Sequence, residues 1–237
     1  MGKTKHYQSL KTGLSTTWRL LRKKRDRREF LYTYFDSKMA SNRKNSVLFV
    51  DGGANLGQGF KWFSSFFNSP NVVFHLFEPN PNCQIILNGL IAETSKRIKL
   101  FDTGISTFDG EVKFYGLSEN EGGALSEGGS IKSDHNSGWY KASEEDAITV
   151  KVIDFDRYLR EQKQVFDKIV VKMDIEGAEI DVLEKLIETG AIEYISVLYV
   201  EFHSQFQTEP QRSETRNREE NIVRKLKQHG VKVRIWH

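Results

Sequence analysis

The stretch Val47-Leu48-Phe49-Val50-Asp51-Gly52-Gly53-Ala54-Asn55-Leu56-Gly57 decides how the chain is read. Four consecutive apolar residues stop at an acid, and a glycine-rich turn follows at once. Just beyond, Phe60, Phe63, Phe66 and Phe67 fall at helical spacing, so the segment reads as strand, tight turn, helix. The pattern then repeats. Val72 to Phe77 is a second strand ending in Glu78-Pro79-Asn80-Pro81, a helix is expected over 82–94, and Ile98 to Phe101 is a third strand ending in Asp102. Further on, Ile169 to Met173 ends in Asp174. The helix after it sets Ala178, Val182, Leu183, Leu186 and Ile187 on one face and stops at Gly190. Ile195 to Val200 ends in Glu201-Phe202-His203, a helix is expected near 216–229, and Val231 to Trp236 is a last strand. Strands alternating with helices through short connections predict an α/β fold with a mostly parallel central sheet and helices on both faces.

The middle is less regular. Glu111 to Tyr115 and Ile148 to Ile153 read as strands that either extend the sheet or form a small flap. Between them, residues 116–138 hold six Gly among Ser, Asn and Glu, which makes a lid over a site or a surface excursion. Trp139 and Tyr140 at its end favour the lid.

Charge divides the chain in two. Residues 1–46 carry 13 Lys/Arg against 3 Asp/Glu, and residues 47–237 carry 22 against 29, so a basic leader precedes an acidic body. We therefore expect a basic N-terminal helical extension over 1–46, with its helix at about 14–36, and a separate domain over 47–237. The leader reads either as an arm for an anionic partner or as a helix packed on the body with a solvated basic face. No apolar run approaches the ~18 residues of a membrane span, and the N-terminus lacks the apolar core of a signal peptide. The single cysteine, Cys83, excludes an internal disulfide framework and any cysteine-based zinc cluster. A reducing, cytoplasmic compartment is the expectation, and Cys83 itself reads as a small packed residue.

Ligands of open parallel sheets bind beyond the carboxyl ends of the strands. Asp51, Glu78, Asp102, Asp174 and Glu201 all stand there, and five acids on one edge make a site. The turn is a near miss to a dinucleotide fingerprint, since Gly52, Ala54 and Gly57 fit a G-x-A-x-x-G variant. Yet Asp51 at the turn would repel a pyrophosphate and attract a cationic amino group, while Glu78 can accept hydrogen bonds from ribose hydroxyls. A nucleoside bearing an amino acid suits the pair better.

Four motifs carry a resemblance: Val50 to Gly57, Phe77-Glu78-Pro79-Asn80-Pro81, Val171 to Glu179 and Val200-Glu201-Phe202-His203. Together they resemble FkbM-type methyltransferases over about 47–236. The resemblance implies the Rossmann-like class I methyltransferase fold and S-adenosylmethionine as methyl donor. It also implies Asp51, Gly53, Asn55 and Gly57 around the methionine part, Glu78 on the ribose and Asp102 near adenine. The family fold normally closes with a strand pair, whereas here one strand, Val231 to Trp236, is expected, so a seventh strand is not counted on. An acceptor on oxygen, within a sugar, glycan or glycosylated small molecule, is likewise an implication of the resemblance.

The acceptor side is read from chemistry. Asp174, Glu176, Glu201 and His203 come from neighbouring strand ends. One reading makes His203 or Asp174 a general base. Another makes Asp174, Glu201 and His203 ligands of a hard divalent cation, Mg or Mn, that binds sugar hydroxyls. The plain alternative has Glu176 and Glu179 favouring a helix N-terminus and Lys172 pairing with an acid. Two rival functions stay open: an RNA ribose methyltransferase, for which Lys61, Lys172 and Lys185 lack persuasive spacing, and a non-catalytic binding protein with a degenerate site. His6, His75, His135, His229 and His237 read as structural or surface residues.

Overall fold

In a computed structural model of the protein, the described residues are 27–41, 44–116, 128–133, 142–145 and 147–236. The chain divides into two compact units between Met39 and Ala40. Nearly all of helix α1 (27–40) belongs to the first, and residues 14–26 of the expected leader helix lie outside the described residues.

The second unit begins with β1 (Val47–Gly52), α2 (Gln58–Phe66), β2 (Val72–Phe77), α3 (Pro81–Ala92) and β3 (Arg97–Phe101). It continues through β4 (Thr103–Ser106), β5 (Gly110–Phe114), β6 (Ile148–Asp154) and α4 (Phe155–Lys163). It ends with β7 (Lys168–Met173), α5 (Glu179–Glu188), β8 (Ile195–Val200), α6 (Gln211–Gln228) and β9 (Lys232–Ile235). The main sheet runs β3-β2-β1-β7-β8-β9, and all its pairings are parallel.

Alternation along each strand builds two cores. Phe49, Phe74, Val170 and Tyr199 face α2, where Phe60, Phe63 and Phe67 meet them. The Phe49 and Phe63 ring centroids are 4.7 Å apart. Leu48, Val50, Ile169, Val171 and Leu198 point to the other side, against Phe155 and Leu159 of α4, Leu183 of α5 and Ile222 of α6. A sheet with both faces covered explains why its strands are near-continuous apolar runs.

The two irregular strands do not extend this sheet. They join a separate one, β4-β6-β5, in which β4 pairs parallel with β6 and β5 antiparallel. Strand β4 follows Asp102 directly and was not read from the sequence, because Thr103-Gly104-Ile105-Ser106 is short and half made of small residues with weak strand preference. The expected lid falls largely on 117–127 and 134–141, including Trp139 and Tyr140, outside the described residues.

The feature that places the site is the change of direction at β1. The chain runs outward through β2 and β3, then returns to the other side of β1 as β7. Such a switch point opens a crevice at the carboxyl ends of β1 and β7. The register sets Asp51 beside Lys172 and Gly52 beside Met173.

Candidate active site

On the β1 side of the crevice, the chain turns through Gly53, Asn55 and Gly57, with φ of +73°, +45° and +83°. A Cβ on Gly53 would stand 1.8 Å from the carbonyl oxygen of Asp174, so only glycine lets the turn lie against β7. The amides of Gly53 and Ala54 both donate to the Phe77 carbonyl, at 3.1 and 3.0 Å, which fixes the turn on β2. Helix α2 then starts at Gly57 without a side-chain cap.

Glu78 is buried at the end of β2. Its Oε2 accepts from the Asn55 amide at 2.7 Å and its Oε1 from the Asn80 amide at 2.8 Å. Each oxygen keeps a second lone pair for a ligand hydroxyl. Burial pushes Glu78 up to about 7, although the Asn80 and Asn55 amides pull it down. Asn80 in turn caps α3, accepting from the Asn82 amide at 3.0 Å. Asp102 is exposed in the short link between β3 and β4.

Asp51 lies deeper than its motif suggests, with 0% of its surface exposed. Lys172 Nζ stands 3.2 Å from Asp51 Oδ1 and 3.2 Å from Asp174 Oδ2. It also donates to the carbonyls of Gly53 at 2.8 Å and Gly52 at 3.3 Å. The Lys172 ammonium and the Phe60 amide are the groups that face the buried Asp51 carboxylate. Burial pushes Asp51 up, and Lys172 opposes that shift. For Lys172, burial works against the charge, but Asp174 and Asp51 outweigh it and hold the ammonium above its usual range. The expected attraction of Asp51 for a cationic amino group is thus taken up by the chain's own lysine.

On the far side, Asp174, Glu176 and His203 converge, each offering one ligand atom within 4.8 Å of the others. His203 Nε2 is 3.2 Å from Glu176 Oε2 and 3.5 Å from Asp174 Oδ1, and Nδ1 is 3.0 Å from Glu179 Oε1. Glu179 is fully buried. It accepts from the Ile175 amide at 2.8 Å and the Gly177 amide at 2.9 Å, and so holds the tight loop in which Glu176 has a φ of +54°. The plain reading of Glu179 as a helix-terminus residue therefore holds, with a second task behind His203.

Two features of this cluster differ from the sequence expectation. Glu201, expected as a ligand with Asp174 and His203, is not in the converging group; Glu176 takes that place because the left-handed turn after β7 carries it back over Asp174. And at His203 burial disfavours the charge, but Glu179 and Glu176 outweigh that and push it up to about 12, which favours the imidazolium over the neutral ring a general base needs. Glu201 is the group tuned near neutrality, pushed up to about 7 by burial and by the charge of Asp174.

Among the described residues, Lys172 and Lys185 are not brought together as an RNA ribose site needs. Lys185 is held by Asp154 at 2.9 Å and the Thr107 carbonyl at 2.6 Å, away from Lys172. His75 is buried against the Tyr158 hydroxyl and Cys83 is buried and free, both structural. Two residues that sequence reading left unassigned are Arg212 and Arg216. With Glu219 they form one stripe of α6 at i, i+4, i+7 facing the Phe202–Gln205 segment. Their spacing was the available signal.

A switch-point crevice with a glycine turn on one strand and a buried acid on the next is where open α/β sheets bind their ligands. The methyltransferase FkbM domain matches residues 51–233, and the chain belongs to that family. The hexuronic acid methyltransferase AglP of Haloferax volcanii is 36% identical over 90 residues, which cover 38% of this chain and 35% of that protein. A crystal structure of methyltransferase FkbM from Methylobacillus flagellatus KT aligns with a TM-score of 0.38 and 18% identity over 62% of this chain and 30% of that one. The chain spans about a third of the length of each of these relatives. Among the described residues no helix is long and apolar enough to cross a membrane.

Proposed function

We propose that this domain transfers a methyl group from S-adenosylmethionine to a hydroxyl oxygen of a sugar or glycan. The observation that carries the reading is the tie between the two halves of the crevice. Asn55 joins the glycine turn to Glu78, and Gly53 packs directly on Asp174. A donor held by the turn thereby faces the acids at the ends of β7 and β8. The sugar part draws on the relative named for hexuronic acid methylation.

The crevice fits the donor. Gly53, Asn55 and Gly57 would border its methionine part, Glu78 would accept from its ribose hydroxyls, and Asp102 would lie toward adenine. Asp51 would hold the turn through Lys172. Bound there, S-adenosylmethionine supplies a methyl group already activated by its sulfonium. The chain's task is then alignment and proton removal. Glu201, with a pKa of about 7, takes the hydroxyl proton. Asp174 accepts from a neighbouring hydroxyl, and the imidazolium of His203 balances the surrounding carboxylates.

A divalent cation is a second reading, favoured by the convergence of Asp174, Glu176 and His203. Glu179 behind Nδ1 is the support a metal-bound imidazole usually has. These donors fit Mg or Mn once His203 loses its proton, which metal binding would drive. A mass-spectrometric screen with S-adenosylmethionine, monosaccharide glycosides and short RNAs tests the reading. Methylated glycoside supports it, whereas methylated RNA alone or no methyl transfer overturns it. Chelator separates the two mechanisms: loss of turnover restored by Mg²⁺ or Mn²⁺ selects the metal.

The leader is proposed as an arm for an anionic partner beside a separate methyltransferase domain, and a cytoplasmic location is proposed from the single buried cysteine.

A further inference from the structure

A cleft of about 480 Å³ opens beyond the carboxyl ends of β8 and β9, a volume in the range of small-molecule sites. Phe202 and Ser204, the residues on either side of His203, form one wall, Ile235 closes an edge, and Arg212, Arg216 and Glu219 of α6 form the other wall. Its charges are unevenly engaged. Glu219 is occupied, accepting from the Ser204 amide at 3.1 Å and the Ser204 hydroxyl at 2.7 Å. Arg212 gives one N–H to the Gln205 carbonyl at 2.5 Å. Among the described residues, the ion pair of Arg216 is a 3.6 Å contact to Glu220 along the same helix, with both side chains about 70% exposed. Most of the ten guanidinium N–H groups thus have no acceptor among the described residues.

Resting on the methyltransferase reading above, we infer that this cleft is the subsite for a carboxylate on the acceptor, so that the acceptor is an acidic sugar such as a uronic acid. The reacting region is crowded with carboxylates: Asp174, Glu176, Glu179 and Glu201. An anionic acceptor would be repelled unless cations held its charge away from them, and two arginines one helical turn apart, across the cleft from the residues that flank His203, would do that. A guanidinium matches the planar carboxylate with two parallel hydrogen bonds, which favours carboxylate over a hydroxyl. The ring of Phe202 offers an apolar surface for the sugar face.

The test compares binding of methyl β-D-glucuronide and methyl β-D-glucoside to the full chain in the presence of S-adenosylhomocysteine, by calorimetry. The glucuronide should bind roughly 10- to 100-fold more tightly, as hydrogen bonds to charged partners warrant. The ratio should fall towards one in Arg212→Gln/Arg216→Gln, and Arg216→Gln alone, at a highly exposed site, should lower it while the protein stays folded. Lysine at both positions should restore part of it. Equal binding of the two glycosides by the wild type, or a preference that survives in the double variant, overturns the inference. So does tighter binding of a sugar phosphate or a short RNA. The two readings fail separately. A lost preference with glycoside methylation intact removes only the carboxylate subsite, whereas a clear preference without methyl transfer leaves the subsite and removes the methyltransferase reading.

Discussion

Replacing Lys172 by methionine removes the one cation shared by two carboxylates at the heart of the crevice. At 3.2 Å from each, and at an effective dielectric of 20, each ion pair is worth about 5 kcal/mol of attraction before desolvation. Desolvation of the ammonium and of Asp51 offsets much of that. What remains on deleting one partner is an uncompensated buried charge, which costs about 3–5 kcal/mol. In a chain of this size that lowers Tm by roughly 6–20 °C. The deficit should depend on pH. Asp51 already has a raised pKa through burial, and loss of Lys172 raises it further. An acid with a raised folded-state pKa contributes stability below its unfolded pKa and loses it as pH rises through the folded value. Lys172→Met should therefore be less impaired at pH 5.5 than at pH 8, and Asp51→Asn in the same chain should recover most of the loss. Urea unfolding at the two pH values reads all three quantities. A deficit below about 1 kcal/mol at pH 8, a larger deficit at pH 5.5, or no recovery in the double variant would refute the assignment of Lys172 as the counter-ion of Asp51.

Gly53→Ala should cost at least ~2 kcal/mol, the left-handed φ alone accounting for about 1–2 and the overlap with the Asp174 carbonyl for the rest, seen in thermal melts. Glu78→Ala should weaken S-adenosylhomocysteine by roughly 1.5–3 kcal/mol in calorimetry, and binding as tight as wild type would remove Glu78 from the donor site. The rate should rise with pH through about 7 as Glu201 ionises, and Glu201→Gln should lower and flatten the profile. No inflection near the ordinary histidine value is expected, because His203 is already protonated there. Removing residues 1–39 should leave S-adenosylhomocysteine affinity unchanged, and lost affinity or insolubility would assign the leader to the core instead.

What the sequence determined by itself was everything that repeats locally. The apolar runs at 47–50, 72–77, 169–173 and 195–200 name the strands, and the acids after them mark one edge of the sheet, because side-chain period and strand ends are properties of neighbouring residues. The glycines of the first turn and Glu78 were legible for the same reason, as was the domain family. Strand β4 was not, since four residues with two small ones carry too little pattern. The tertiary structure alone decided which acids meet. Asp51 and Lys172 are 121 residues apart, and only the β1–β7 register buries one against the other. Glu176 rather than Glu201 joins Asp174 and His203 because of a single left-handed turn. His203 is pushed towards its imidazolium form, and Glu201 acquires a near-neutral pKa, through burial and charges brought from other elements. Protonation depends on distance and solvent in three dimensions, and no spacing along the chain encodes either.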